Sequence, residues 1–256
     1  MKQKKNYSDK LSEFICNCNE VSGGLIIDRL KEIYDYIYID EVQDLVGYDW
    51  DFIKLLFESN INVCLVGDPR QSTYQTHATR KKVDHIKQNL DKAINGKIPY
   101  EYDDQLLSVS HRNNGDICRL SNSIFPLMAK SYPCNCKECR EFQTDHEGIY
   151  YIYESEVSEY LNRYKSIQLI WDSKKLCSPI TSFYNYGASK GLTFDRVLIY
   201  PTKPIEEWLG DNNSNLKNVT RSKLYVAVTR ARRSVTFVVD KKFSPDDKLK
   251  IKKYNI

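Results

Sequence analysis

Residues 37–45 read IYIDEVQDL, in which apolar and aromatic side chains lead directly into a group of carboxylates. The longer stretch YDYIYID (34–40) is rich in Ile and Tyr and bounded by polar residues, which predicts a strand buried on both faces. NVCLVGD (62–68) has the same character. Each stretch ends in an acid, Asp40 or Asp68, where an open parallel sheet presents its ligand-binding edge.

A predicted helix between these strands indicates an α/β fold with mainly parallel sheets. YDWDFIKLLFES (48–59) has Trp50, Ile53, Leu56 and Phe57 at helical spacing. Strand, helix and strand within about thirty residues form a parallel crossover unit. Further strands are predicted at 148–154, 178–184, 195–201 and 234–240, and further helices at 116–125 and 220–233.

The composition is that of a globular protein with little net charge. The chain has 256 residues, 41% of them hydrophobic, and 38 Lys and Arg against 34 Asp and Glu. The net charge of +4 permits a polyanionic partner without requiring one. No run of about 18 apolar residues and no signal-peptide pattern occurs, so we expect a cytoplasmic protein with reduced cysteines and no membrane association.

A polar, cysteine-rich stretch predicts the division of the chain into two lobes. SYPCNCKECREFQTDHEG (131–148) contains proline and separates two regions that each carry predicted strands. We expect a first lobe at 1–131, a linker at 132–147 and a second lobe at 148–256.

Asp40 and Glu41 form the first candidate site. An aspartate and a glutamate at the carboxyl end of a buried strand suit a Walker B site, where the aspartate holds Mg²⁺ and the glutamate polarises the attacking water. The alternative is an ordinary solvated strand end. DEVQD (40–44), followed after one helix by GDPRQSTY (67–74), favours the nucleotide site.

These two motifs are followed in order by SHRN (110–113), GASKGLTF (187–194) and VAVTRAR (226–232). Together the five resemble motifs II to VI of the UvrD/Rep group of superfamily 1 DNA helicases. The resemblance implies two RecA-like lobes of the P-loop NTPase type, ATP with Mg²⁺ as cofactor, and single-stranded or partly duplex DNA as partner. The implied activity is that of an ATP-dependent DNA helicase or translocase.

The resemblance also implies roles for single residues. Those acting on the reacting phosphates are Asp40 (as Mg²⁺ ligand), Glu41, Gln71, Arg112 and Arg230, the last donated from the second lobe. Those binding the rest of the nucleotide are His111, which stands where the family usually has a base-stacking tyrosine, Gly191 and Thr193. Those directed toward DNA are Tyr74, His77 and Lys190.

The sequence departs from this family by lacking a Walker A motif. No GxxxxGK[ST] occurs, and 39 residues precede Asp40, so we expect an N-terminally truncated first lobe and very weak hydrolysis by this chain alone. The hypothesis is a fragment, or one half of a split motor whose partner chain supplies the phosphate loop. The alternative is a non-catalytic nucleotide- and DNA-binding regulatory module completed by a partner. By analogy with small UvrD-like relatives, it would act beside a nuclease in phage defence.

A cysteine cluster indicates a separate candidate metal site. Cys134, Cys136, Cys139 and His146 have the spacing C-x-C-x2-C-x6-H, which offers the four ligands that tetrahedral zinc takes. The alternative is a set of reduced linker cysteines without metal.

Overall fold

The computed structural model describes residues 10–72, 85–140, 145–172 and 177–255. The chain divides into two compact units, Met1–Tyr102 and Asp103–Ile256, which we call the first and the second unit. In the part of the chain described, no helix is long and apolar enough to cross a membrane.

The first unit contains four helices and a two-stranded parallel sheet among its described residues. The elements are α1 (Leu11–Val21), α2 (Leu25–Ile33), β1 (Tyr36–Ile39), α3 (Tyr48–Phe57), β2 (Asn62–Leu65) and α4 (His85–Ile94). β1 and β2 pair in parallel with Tyr36 opposite Asn62. Trp50, Ile53 and Leu56 of α3 pack into the core with Leu90 and Ile94 of α4, so the predicted strand–helix–strand unit is confirmed.

The two strands of the first unit are half-buried, although the sequence predicted burial on both faces. Ile37, Ile39, Val63 and Leu65 pack against the core, whereas Tyr36 and Tyr38 are 61% and 71% exposed. Because side chains alternate along a strand, the exposed residues share one face. The prediction of double burial is therefore wrong for β1 and β2 in the described residues.

The second unit is built on a six-stranded parallel sheet. The described strands of this unit, inside and outside that sheet, are β3 (Val109–Ser110), β4 (Tyr132–Pro133), β5 (Gly148–Tyr153), β6 (Ile167–Ile170), β7 (Phe183–Asn185), β8 (Phe194–Ile199), β9 (Ala231–Val239) and β10 (Lys252–Lys253). β3 and β4 form a separate parallel pair, and the large sheet has the order β10-β5-β9-β8-β6-β7. The helices are α5 (Gly115–Ile124), α6 (Lys137–Arg140), α7 (Val157–Tyr164), α8 (Lys203–Gly210) and α9 (Asn218–Thr229).

Both faces of the large sheet are covered. Val197 and Ile199 of β8 pack into one hydrophobic cluster with α5, α8 and α9, while Leu198 between them packs into a second cluster with α7. This arrangement is the α/β class predicted from the sequence, with parallel strands between helical layers, and it fits a RecA-like fold.

Two boundaries differ from the sequence predictions. The units divide after Tyr102, so SHRN (110–113) and the cysteine-rich stretch belong to the second unit and the predicted boundary at 132–147 is displaced. The helix predicted at 220–233 ends at Thr229, and β9 begins at Ala231. The last residues of α9 and the first residue of β9 are buried, so the sequence shows no change of pattern at the turn between them.

Candidate functional site

The carboxyl ends of β1 and β2 bring the first two motifs together. The N–H of Val66 donates to the carbonyl of Ile39 at 2.8 Å, and the N–H of Val42 donates to the carbonyl of Val66 at 3.1 Å. These bonds continue the parallel pairing past the strand ends. Asp40 and Asp68, one on each chain segment, therefore lie at the same edge of the sheet.

Gln43 joins the two motifs through its side-chain amide. Its Nε2 donates to Glu41, and its Oε1 accepts from the N–H of Asp68 at 3.0 Å. Gln43 is 9% exposed, and Glu41 has a left-handed backbone with φ 55°. A buried amide that uses both ends fixes the position of the catalytic candidate Glu41 relative to Asp68. Gln43 lies within DEVQD (40–44), but the sequence alone predicted no role for it.

Asp68 in turn holds the residues that follow it. Its carboxylate accepts from Arg70 Nε at 2.7 Å and from Gln71 Nε2 at 3.2 Å. It also caps the 3₁₀ turn Pro69–Gln71 by accepting from the N–H of Arg70 at 3.1 Å. Gln71 is thereby fixed beside Asp68, whose backbone N–H is bonded to Gln43 of the first motif. We call Asp40, Glu41, Gln43, Asp68 and Gln71 the strand-end cluster.

The strand-end cluster has the chemistry of a magnesium and phosphate site. Asp40 is exposed at the end of β1, and its Oδ1 accepts from the N–H of Glu41 at 2.7 Å. Mg²⁺ is bound through one or two carboxylates together with water and phosphate oxygens, so Asp40 and Glu41 are suited to hold it. The amide of Gln71 adds a neutral hydrogen-bond donor.

In the second unit, SHRN is hydrogen-bonded to the turn between α9 and β9. Asn113 Nδ2 donates to the carbonyls of Thr229 and Ala231, at 3.1 and 2.7 Å. Asn114 Nδ2 donates to the carbonyl of Arg233 at 2.6 Å, while its Oδ1 caps α5 at Ile117. Arg112 therefore lies on a loop that is fixed to the residues flanking Arg230. Neither asparagine was predicted from the sequence to have a role.

Arg230, predicted as a cation donated to the phosphates, is 2% exposed. Its Nε donates to the carbonyl of Val226 at 3.1 Å, and its Nη1 donates to the carbonyl of Leu192 at 3.2 Å. Its Nη2 donates to Thr229 Oγ1 at 3.3 Å. The guanidinium is thus held in place within the second unit, where it links the VAVTRAR segment to the GASKGLTF segment.

The GASKGLTF segment contains a tight turn and three of the predicted site residues, Lys190, Gly191 and Thr193. Gly187–Ser189 is a 3₁₀ turn in which Ser189 is buried and donates to the carbonyl of Tyr186 at 2.7 Å. Lys190 ends this turn, and Gly191 has φ +79°, a conformation that favours glycine. Thr193 is half-buried one residue before β8.

A cleft of about 740 Å³ lies beside SHRN in the second unit. Residues of opposite charge share its lining, among them Arg112, Arg232, Glu138 and Asp195. The residues from the strand-end cluster and from this cleft belong to separate units. Tyr74 and His77, predicted to contact DNA, lie outside the described residues.

The cysteine cluster gains a different histidine from the one that the sequence predicted. Ligand atoms of His111, Cys134, Cys136 and Cys139 all lie within 4.8 Å of one another, and we call this group the cysteine–histidine cluster. The backbone N–H of Cys136 donates to the sulfur of Cys134 at 3.4 Å, which lowers the pKa of that thiol. The predicted fourth ligand, His146, belongs to another environment.

His146 is buried among tyrosines, which corrects its assignment as a metal ligand. Its ring stacks on Tyr150 and Tyr164, with centroids 4.5 and 3.9 Å away, and its Nε2 is 2.7 Å from the hydroxyl of Tyr160. Burial, reinforced by the positive charges of Arg196 and Arg163, lowers the pKa of His146 to about 4. We call His146, Tyr150, Tyr160, Tyr164 and Tyr254 the tyrosine cluster.

Comparison with known proteins relates the first unit to helicases. Residues 2–91 match the family model of the UvrD/REP helicase N-terminal domain. This match supports a UvrD-like helicase region. It contains β1, β2 and every member of the strand-end cluster. A search of curated protein sequences found no significant match.

Several solved structures resemble the chain. Arterivirus nonstructural protein 10, a helicase described in complex with DNA, is 18% identical with a TM-score of 0.46, covering 78% of this chain and 38% of that one. The PRRSV helicase is 18% identical with a TM-score of 0.44, covering 82% and 37%. The C-terminal domain of a possible DNA helicase from Lactobacillus plantarum WCFS1 is 14% identical with a TM-score of 0.33, covering 57% and 99%. This chain thus spans well under half the length of the two viral helicases.

Proposed function

We propose that this chain is a module of a UvrD-like DNA helicase or translocase in which the strand-end cluster binds Mg²⁺ and the terminal phosphates of ATP. The observation that carries the proposal is the buried amide of Gln43, which joins Glu41 of one motif to Asp68 of the next. The family match over residues 2–91 supports it.

Within the first unit, the proposed roles follow from donor and acceptor chemistry. Asp40 binds Mg²⁺, directly or through water, and Glu41 polarises the water that attacks the γ-phosphate. Gln71 donates one amide hydrogen to a γ-phosphate oxygen. Asp68 positions Gln71 through the hydrogen bond between their side chains.

Within the second unit, Arg112 and Arg230 supply positive charge for the phosphates. Guanidinium stays charged and binds phosphate oxygens in pairs. The carbonyls of Val226 and Leu192 hold Arg230 in a fixed position, so it acts as a preorganised charge rather than a mobile one. Gly191 and Thr193 contact the remainder of the nucleotide.

DNA binding is proposed for Tyr74, His77 and Lys190. Tyr74 and His77 carry rings that stack on bases, and Lys190 carries a charge that pairs with phosphate. Contact with the DNA backbone releases counterions, so affinity for a single-stranded oligonucleotide falls as salt rises.

A module completed by a second polypeptide is the other candidate, and the exposed face of β1 and β2 favours it. Parallel sheets are usually covered on both faces, yet Tyr36 and Tyr38 are more than half exposed. The sequence also contains no GxxxxGK[ST] phosphate loop. In this version a partner supplies the phosphate loop and covers the tyrosines. A nuclease partner stays a prediction from the resemblance.

ATP hydrolysis measured with and without oligothymidylate tests the proposal. We expect DNA-stimulated hydrolysis that is weak for the chain alone, because it lacks a GxxxxGK[ST] motif. It falls about 100-fold in Glu41→Gln, because the attacking water loses its polarising carboxylate. Glu101→Gln, an exposed glutamate of the same unit, serves as matched control.

The same assay separates the two versions. Hydrolysis by the chain alone supports the first version, in which this chain needs no second polypeptide. Activity that appears only after a neighbouring gene product carrying a phosphate loop is added supports the module. Hydrolysis that is neither stimulated by DNA nor lowered by Glu41→Gln, with or without the added partner, contradicts the proposal.

A further inference from the structure

We propose that His111, Cys134, Cys136 and Cys139 bind one Zn²⁺ ion, which fixes the loop between β3 and α5. The inference concerns the second unit alone and does not require the nucleotide site. Its consequence for Arg112, given below, does rest on the proposed function.

The short β3–β4 pair places the histidine beside the cysteines. Val109 and Ser110 pair in parallel with Tyr132 and Pro133, and the N–H of Cys134 donates to the carbonyl of Ser110 at 2.9 Å. Parallel strands end at the same edge, so the next residue on each strand, His111 and Cys134, emerges side by side. Their 23-residue separation in sequence explains why spacing alone favoured His146.

The chain after β4 places the two remaining cysteines near His111 and Cys134. Cys136 follows Cys134 by two positions, and Cys139 lies on the single turn of α6. Cys139 Sγ is 3.7 Å from His111 Nδ1. In a tetrahedral site with ordinary zinc–sulfur and zinc–nitrogen bonds, such ligand atoms are about 3.5 to 3.8 Å apart. The separations of up to 4.8 Å in the cysteine–histidine cluster need only small side-chain adjustments to reach this geometry.

The ligand chemistry selects zinc over the oxygen-preferring cations. Three thiolates and one imidazole are a recognised tetrahedral zinc set, and Mg²⁺ and Ca²⁺ prefer oxygen ligands. All four positions are filled by protein, which is typical of a structural site without an open position for catalysis. Zinc replaces the thiol protons on binding, and the N–H of Cys136 stabilises the resulting charge on the Cys134 sulfur.

A zinc ion bound at the cysteine–histidine cluster would also restrain Arg112, the residue proposed to act on the phosphates. His111 directly precedes Arg112, and Asn113 and Asn114 attach the other end of the loop to the α9–β9 turn. A bound ion therefore holds the second end of the segment that carries Arg112. His111 as a zinc ligand is then not the base-stacking residue that the family resemblance implied.

Metal analysis of the purified 256-residue chain, with Zn²⁺ as the probe under reducing conditions without chelator, tests the site. We expect about one equivalent in the wild type and a loss of at least tenfold in Cys134→Ser, Cys139→Ser and His111→Ala. His111→Cys, which makes a four-cysteine set, restores binding. The matched controls Cys64→Ser, an exposed cysteine of the first unit, and His146→Gln retain it.

Several results would overturn the assignment. Less than about a tenth of an equivalent in the wild type ends it. An unchanged zinc content in His111→Ala, or a lost zinc content in a folded His146→Gln, would show that other residues bind the ion. Circular dichroism and a thermal melt of each variant identify any loss that comes from unfolding.

Amide hydrogen exchange of the wild type with and without zinc tests the effect on the loop. Removal of zinc is expected to speed exchange at residues 109–114 and 134–139 while leaving β8 and β9 protected. Equal exchange in both states contradicts the role in fixing the loop, whatever the ATPase activity is. Failure of the helicase proposal would leave both measurements unaffected.

Discussion

The backbone of Gly67 passes so close to Gln43 that a side chain at this position would displace the Gln43 amide. A Cβ at this position would lie 2.5 Å from Gln43 Oε1 and 3.1 Å from the backbone nitrogen of Val42. Gln43 uses that oxygen to accept from Asp68, so any movement breaks the link within the strand-end cluster. A glycine at the start of GDPRQSTY thus allows the close packing of the two motifs.

We predict that Gly67→Ala lowers the free energy of unfolding by about 1 to 3 kcal/mol through overpacking. Urea unfolding followed by circular dichroism measures this. Gly115→Ala is the control, since its Cβ would meet only Pro133 Cγ at 3.7 Å. Equal stability of the two variants would show that Gln43 moves aside without cost.

Arg230 provides a second test at the scale of one side chain. Arg230→Met keeps most of the volume but leaves the carbonyls of Val226 and Leu192 without this donor. We expect a loss of roughly 3 kcal/mol in the free energy of unfolding. Arg232→Met, at an exposed position two residues later, should change it by less than about 0.5 kcal/mol. Similar values for both variants would contradict a fixed, buried guanidinium.

Residue types and spacing predicted the strand-end carboxylates but missed their supports. Asp40 and Asp68 follow apolar strands, which is a local pattern. Asn113, by contrast, bonds to carbonyls 116 and 118 positions away, and nothing in the nearby sequence indicates those partners. His111 joins the cysteines for the same reason, through a strand pair of two residues each.

Among the elements, the tyrosine cluster packs α7 against β5 and the chain after β10. Tyr160 and Tyr164 come from α7, Tyr150 from β5, and Tyr254 follows β10. All four rings contact His146, which is 2% exposed and whose pKa falls to about 4. The folded state therefore keeps His146 neutral at a pH where an unfolded chain would protonate it, because the unfolded pKa is about 6.5.

Stability should decline as the pH falls from about 6.5 to about 4, since the unfolded state binds the additional proton in that window. We expect His146 to contribute on the order of 1 to 2 kcal/mol to the decline, after allowance for solvent screening. Urea unfolding near pH 7.5 and pH 4.5 measures it. His146→Gln removes this part of the pH dependence. The same decline in wild type and variant would contradict a buried neutral histidine.

Element types were more predictable than element ends. The apolar runs predicted β5, β8 and β9, helical spacing predicted α3, and a helix was predicted at 116–125, where α5 lies. The end of α9 was missed because residues 224–231 are all buried, and this continuous burial leaves no periodicity to mark the change from helix to strand.

At the scale of the whole chain, the α/β class was predictable and the division into units was not. A polar, cysteine-rich segment is typical of a linker, but here it contributes β4 and α6 to the second unit. The division after Tyr102 places the arginine of SHRN with Arg230 and apart from the strand-end carboxylates.

The most direct test of the central claim is a titration of the protein with a fluorescent ATP analogue, with and without Mg²⁺. We predict that binding requires Mg²⁺ and weakens about tenfold or more in Asp40→Asn, because the metal loses a protein carboxylate. Asp35→Asn is the matched control, since Asp35 is exposed and directly precedes β1 at its opposite end. The account would be contradicted by an affinity that is the same without Mg²⁺ and in Asp40→Asn, or by the absence of binding at millimolar nucleotide.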